Sequence, residues 1–353
     1  METDGPSRPG APFSRRLGRF LAAAAGLALL AWMVRAIGWS SIEANLRAIG
    51  GWFPILVALY GVAQAAFCLG WWFVMEPRPP ARFLPRLFAM YLAGDSANYL
   101  APGGVAGEPL KVHLLSGRVG RGPALASVTL HKQVDLGAQW LFVLAGVVLT
   151  LVTFPLSARA RAGAVGGVLL LGALLGGLSW ALARGTYGPA TRWLSRWKAL
   201  AGRLRRYQDG AHLVDESIKR FYRERPGRFA AGMALCFVGW CGGALETGIL
   251  LRLFSPGTPW AAAVGIEALS LVAVTMLLFL PGRIGGAEGA RAGIAVLLGL
   301  APAQGLAYAL ARRARELVWL VPGLLVILAQ SWRRGSDRRE PEVGRLANGG
   351  MRS

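Results

Sequence analysis

Between Tyr91 and His113 the chain reads YLAGDSANYLAPGGVAGEPLKVH, which places Asp95, Ser96, Asn98, Glu108 and Lys111 around Pro102-Gly103-Gly104. Carboxylates and a lysine at this spacing can hold an ionic headgroup, pass a proton, or pair with one another. The surrounding residues are apolar, so these groups lie at membrane depth, where polar side chains are costly and turn toward a cavity or a partner. A Pro-Gly-Gly break suits such a place. Proline removes a donor, glycine permits unusual φ, and the helix ends so exposed offer N–H groups to anions. A second, weaker version follows as LPGRIGGAEGAR, from Leu280 to Arg291, with Pro281, Gly282, Arg283 and Glu288. The two stretches are expected to form the functional centre.

Helical spacing sorts the candidates. Tyr91, Asp95 and Asn98 stand at i, i+4 and i+7 and share one face, while Glu108 and Lys111, at i and i+3, can pair. Later, Tyr308, Arg312 and Glu316 form another stripe with Arg315 beside it, and His131, Lys132 and Asp135 open a long helix candidate. The planar fork of arginine matches phosphate oxygens. The structural alternative is a set of internal salt bridges, with Asp95, Glu108 or Glu288 set against Lys132, Arg291 or Arg312 to steady broken helices. Glu246 and Glu267 each stand alone in an apolar span, as candidate proton carriers or as residues near an interface. The predicted substrate-binding set is Asp95, Asn98, Pro102, Gly103, Gly104, Glu108, Lys111, Lys132, Asp135, Pro281, Gly282, Arg283, Glu288, Arg312, Arg315 and Glu316.

The elements that position these groups are membrane helices. The 353 residues are 54% hydrophobic, with mean hydropathy +0.44 and 16% charged residues, against roughly 25% charged in soluble chains. Several apolar runs reach the ~20 residues that cross a bilayer core as helix. The expected class is an all-α polytopic membrane protein with about eight crossings, in a range of roughly seven to ten. Two Pro-Gly-interrupted or re-entrant segments create that range. The net charge of +21 falls in loops and tails, as when basic loops stay cytoplasmic, and it favours anionic lipid headgroups. No exposed basic domain with aromatic platforms supports nucleic-acid binding. Cys68, Cys236 and Cys241 form no CxxC, and His113, His131 and His212 lack metal-ligand spacing. No metal or cofactor is expected, and no GxSxG, P-loop or HExxH signature occurs.

Along the chain, residues 1–16 are expected to be a disordered cytoplasmic N-terminus and 17–332 the membrane domain. Its first half is 17–183, with apolar runs Leu17–Trp39, Trp52–Met75, Leu87–Leu100, Pro123–Phe154 and Ala162–Ala183. The linker 184–228 carries twelve Lys/Arg against four Asp/Glu, a cytoplasmic signal. Within it Trp193, Trp197, Leu200 and Leu204 repeat at helical spacing, as in a helix lying on the membrane surface. The second half, 229–332, contains Phe229–Leu251, Trp260–Leu280, a short Gly-rich Ile284–Leu300, and a helix opened by Pro302. The tail 333–353 is charged and expected to be cytoplasmic and disordered.

The halves repeat an order of features. Glu108 and Glu288 follow the Pro-Gly motifs, Pro123 and Pro302 each open a helix, and Glu108 to Lys132 and Glu288 to Arg312 are both twenty-four residues. Repeats with interrupted helices in corresponding places point to a transporter binding site. If every segment crosses, the repeat is inverted, with the first motif near the outer face and the second near the inner. If the short segments are re-entrant, both motifs open inward. The crossing arrangement keeps the basic C-terminus inside and is preferred.

The stretches NYLAPGGVAGEPLKVHLL, PALASVTLHKQVDL and LPGRIGGAEGARAGIAVLLGLAPAQGLAYALARRARELVWLVPGLL resemble the lysylphosphatidylglycerol synthase transmembrane family, the flippase-like membrane proteins of bacteria and archaea. The resemblance covers roughly Leu17 to Trp332. It implies a polytopic fold with lipid translocation as its role, and it is similar to the branch associated with hopanoid biosynthesis. The chain ends about twenty residues beyond Trp332, so the aminoacyl-transferase domain of the full synthase, and aminoacyl transfer, are not expected. Arg283 replaces the second glycine of a plain Pro-Gly-Gly. The expected function is movement of a polar-headed lipid, a phospholipid, glycolipid or hopanoid, across the bacterial inner membrane, with the N-terminus cytoplasmic and no catalysis. The alternatives are a lipid-modifying enzyme using Glu108 as general base, or a non-transporting scaffold docked through 184–228.

Overall fold

The computed structural model describes residue 35 and residues 39–101, 104–184, 213–276 and 285–348. The N-terminal tail, most of the first apolar run, the tryptophans of the basic linker, and Pro102, Gly103, Pro281, Gly282 and Arg283 lie outside the described residues.

All regular elements among the described residues are helical. They are α1 (Trp39–Ile49), α2 (Phe53–Val74), α3 (Leu84–Leu100), α4 (Gly107–Val119), α5 (Arg121–Thr153), α6 (Ala158–Arg184), α7 (Pro226–Phe254), α8 (Trp260–Met276), α9 (Gly286–Leu297) and α10 (Pro302–Asn348). Residues 213–224 are also helical. Among the described residues, four stretches are long and apolar enough to cross a bilayer: Arg47–Val74, Arg121–Thr153, Ala158–Gly177 and Pro226–Phe254. The protein is an all-α, multi-pass membrane protein.

Prolines mark several helix starts, Pro54 in α2, Pro226 in α7 and Pro302 in α10, where a missing N–H would be unpaired in any case. α5 starts at Arg121 rather than at Pro123 because Gly120, at φ 85°, turns the chain sharply and leaves Pro123 within the first turn. α10 continues to Asn348, so its backbone carries on through the charged tail expected to be disordered.

The core has two apolar clusters, one around Trp71, Leu87, Leu115 and Val134, the other around Val143, Ile266, Leu298 and Tyr308. Outward, Val62, Val152, Leu169 and Val238 are exposed, as on helices facing lipid. Water expels nothing between helices in a bilayer, so close approach relies on small residues. Gly70 meets Gly232 and Cys236 between α2 and α7, and Gly323 of α10 lies against the Leu92 carbonyl and Ser96 of α3. Gly323→Ala is therefore expected to cost about 1–3 kcal/mol by overpacking, read as a lowered unfolding midpoint in detergent. Gly293→Ala, which meets open space, should leave the midpoint unchanged or raise it.

The packing repeats. α2 packs on α7 across the centre; α3 packs on α10, and correspondingly α8 packs on α5. α3, α4 and α5 contact one another in succession as α8, α9 and α10 do. Residues 213–224 precede α7 and reach α5 through the Tyr222 hydroxyl, which donates to Gln133; α1 likewise precedes α2 and packs on α10. The positive-φ glycines of the described residues fall in matched pairs, Gly104 (φ 62°) with Gly285 (φ 77°) and Gly120 (φ 85°) with Gly299 (φ 102°). Gly104 and Gly120 bracket α4, and Gly285 and Gly299 bracket α9. α6 packs on α5 and also reaches α8, so it joins the two sets of helices.

Candidate functional site

The two halves enclose ionisable side chains contributed by most of the central helices. From α3, Tyr91 and Asp95 both turn to Gln64 on α2: the Tyr91 hydroxyl donates to Gln64 Oε1 at 3.3 Å, and Gln64 Nε2 donates to Asp95 Oδ2 at 3.0 Å. From α5, Lys132 pairs with Asp135 at 3.3 Å. From α10, Arg312 embraces Glu267 of α8, with Nη2–Oε1 at 3.0 Å and Nη1 on Oε2, while Nη1 also donates to Thr247 and the Tyr308 hydroxyl. Arg315 Nε donates to Glu246 Oε1 at 3.0 Å, and its guanidinium lies 3.6 Å from the Tyr60 ring centroid. Glu316 accepts from Arg291 of α9 at 2.9 Å and from Arg313 at 3.5 Å.

A cavity of about 560 Å³ opens among these groups, lined by Asp95, Lys132, Asp135, Arg312, Arg315 and Glu316 among others. A smaller space of about 230 Å³ adjoins it and shares Tyr60, Asp95, Gly104, Arg291 and Glu316 in its wall. Buried charges persist when partners compensate their desolvation, and here compensation is incomplete. Both terminal nitrogens of Arg315, Glu246 Oε2, Arg291 Nη1 and Arg313 Nη2 are buried without a hydrogen-bond partner in the protein. These atoms have almost no accessible surface, so a ligand bringing oxygens and donors of its own would reach them only as the lining side chains shift.

The structure thus brings Asp95, Gly104, Lys132, Asp135, Arg312, Arg315 and Glu316 of the predicted set around one cavity. Others it places elsewhere. Asn98 lines the smaller space, but its amide chiefly organises the start of α4: Oδ1 accepts from Gly107 N at 2.6 Å and Nδ2 donates to Glu108 at 3.2 Å. Glu108 and Lys111 do not pair as their spacing suggested. Lys111 is buried over the rings of Tyr91 and Trp71, 4.7 and 5.9 Å from their centroids. Glu108 faces an apolar recess between α4 and α5 that Lys132 also borders. Of Asp95, Asn98 and Glu108, only Asp95 lines the larger cavity with Arg312 and Glu316; Asn98 shares the smaller space with Glu316, and Glu108 lines neither. The cause is the Gly104 turn, which starts α4 in a new direction.

Glu288 is 1% exposed. Oε2 accepts from Gly285 N at 2.7 Å, closing the first turn of α9, and Oε1 holds Arg313. That is a helix-start role combined with a tie to α10. The lone acids Glu246 and Glu267 each have an arginine partner, a pairing that their isolation in the sequence concealed. Tyr60, Gln64, Tyr99 and Arg313 were outside the predicted set. Gln64 could have been found as the one amide in the apolar run of α2, four residues after Tyr60. Tyr99 receives a hydrogen bond from Arg313 of α10, and no local pattern forecasts it.

Among the described residues no cluster of three His, Cys, Asp or Glu is placed to hold a metal. A family model described as the lysylphosphatidylglycerol synthase TM region matches residues 19–323. No curated protein and no solved structure matches the chain. The chain belongs to the lysylphosphatidylglycerol synthase TM family.

Proposed function

We propose, from membership of this family and the charged cavity, that the protein is a flippase-like transporter. It moves a polar-headed lipid, a phospholipid, glycolipid or hopanoid, across the bacterial inner membrane. The supporting observation is Arg315. It borders the cavity and is anchored by Glu246 and Tyr60; its two terminal nitrogens are buried just behind the lining without a hydrogen-bond partner in the protein, so a small shift of the lining would present them to a headgroup. That fork suits a phosphate or another oxygen-rich headgroup. Asp95, Lys132, Asp135 and Glu316 supply acceptors and donors that replace headgroup water during passage.

In this reading the charged residues bind and guide, and none is a catalytic residue; no metal or cofactor takes part. The N-terminus is cytoplasmic, and the basic segment 184–228 rests on anionic headgroups.

The test is lipid movement in vesicles reconstituted with the purified protein, followed with a headgroup-labelled phospholipid. Wild type is expected to accelerate transfer between leaflets. Asp95→Ala is expected to slow it about tenfold, the equivalent of one lost polar contact of about 1.4 kcal/mol, with unchanged elution and melting. Vesicles in which wild type moves lipid no faster than empty ones would sink the proposal. A lipid product of altered mass would replace it with the enzymatic reading.

A further inference from the structure

The two halves repeat, yet their short-helix seams differ. In the second half α9 lies directly on α10: a Cβ on Gly305 would stand 2.9 Å from the Ala292 carbonyl, and Ala292, Leu306 and Ala309 are buried. The equivalent positions of the first half, four and seventeen residues after the motif glutamate, are Val112 and Leu125. Larger side chains stand there, and beside them a recess of about 440 Å³ opens along the contact between α4 and α5. Its walls are Pro109, Val112, Leu125, Val128 and the Thr129 side chain, with Glu108 and Lys132 at its polar end. That volume is within the range of about 300–1,000 Å³ typical of ligand sites. Pro109, in its wall, is exposed, so the recess opens on the exterior.

Lys132 joins this recess to the charged cavity, because it lines both. Its side chain keeps 38% of its surface exposed despite pairing with Asp135, whereas its counterpart Arg312 is 8% exposed and locked on Glu267. One seam is therefore closed by small residues, with its arginine held on Glu267. The other has apolar walls leading to an accessible ammonium.

We propose that the α4–α5 seam is a lateral port that holds an acyl chain of a phospholipid while the phosphate meets Lys132 at the threshold of the charged cavity. The occupant follows from continuity with that cavity and from charge: apolar walls suit a hydrocarbon chain, and the cation at their inner end suits the phosphate attached to it. This port rests on the transport reading for its purpose, but its occupancy can be measured separately.

The experiment uses wild-type protein in phosphatidylglycerol vesicles containing phosphatidylglycerol with a diazirine in one acyl chain. Labelled peptides are mapped after illumination, and lipid movement is measured in the same vesicles. The port predicts adducts on residues 109–128 exceeding those on the lipid-facing helix α6 and on the sealed seam 289–309 by about tenfold, the ratio that ~1.4 kcal/mol of preference gives. Val128→Trp, which fills the recess, should remove the excess, while Val128→Ala keeps it. Equal labelling of all lipid-facing helices overturns the port. So does an absence of adducts on 109–128 while α6 is labelled, which would mean that another segment of this chain or a second copy covers the seam. Seam labelling without lipid movement upholds the lipid site and removes transport as its purpose. Lipid movement without seam labelling removes the port alone.

Discussion

Arg312→Ala is expected to lower the unfolding free energy by about 3–5 kcal/mol, the range for breaking one partner out of a buried ion pair. Glu267 is 4% exposed and takes two nitrogens of Arg312, of which Nη1 also serves Thr247 and Tyr308. Removing the guanidinium leaves a carboxylate in a cavity wall without its compensating charge. The double change Arg312→Met with Glu267→Met removes both charges and keeps most of the volume, so it should recover most of that loss. Denaturant titration in detergent micelles, compared across the two single variants and the double, measures the coupling. If Arg312→Ala unfolds with the wild-type midpoint, the pair is not a structural anchor of α8 on α10.

Arg315 is expected to matter more for transport than for folding when its partner is changed with it. In Arg315→Met with Glu246→Gln, no charge remains stranded, so the protein should reconstitute normally. Lipid movement should nevertheless fall about 100-fold, because hydrogen bonds to charged groups contribute about 1.5–3 kcal/mol each and the headgroup loses both terminal nitrogens. Arg315→Lys retains a cation near Glu246 but loses the planar fork, and an intermediate loss of about tenfold is expected, equal to ~1.4 kcal/mol. Initial rates of leaflet exchange at several lipid fractions check the series. Wild-type rates in both variants would remove Arg315 from the headgroup path and leave it a packing residue against Tyr60.

These two arginines are three residues apart on one helix and look alike in sequence. Their difference comes from their partners. Glu267 meets Arg312 with both oxygens, while Glu246 meets only Nε of Arg315. Likewise Glu108 and Glu288 occupy equivalent places, yet Glu288 is buried on Arg313 and Glu108 borders an open recess. Val112 and Leu125 stand where the second half has Ala292 and Gly305, a difference of side-chain size that was visible in the sequence without a frame in which to compare them.

The membrane class, the broken helices and the existence of a repeat were determined by the sequence itself. Those properties follow from bilayer length, from helical periodicity and from proline and glycine, all of which act on neighbours along the chain. Matched spacing from Glu108 to Lys132 and from Glu288 to Arg312 already tied the halves together. The tertiary structure alone decided which acid meets which base. Glu267 and Arg312 are 45 residues apart, and Glu246 and Arg315 are 69 apart. Such pairing depends on the rotation and offset of whole helices, set by close contacts such as Gly70 with Gly232 and Gly305 with Ala292. A helix turns about 100° per residue, so a displacement of one residue would point each charge at a different neighbour.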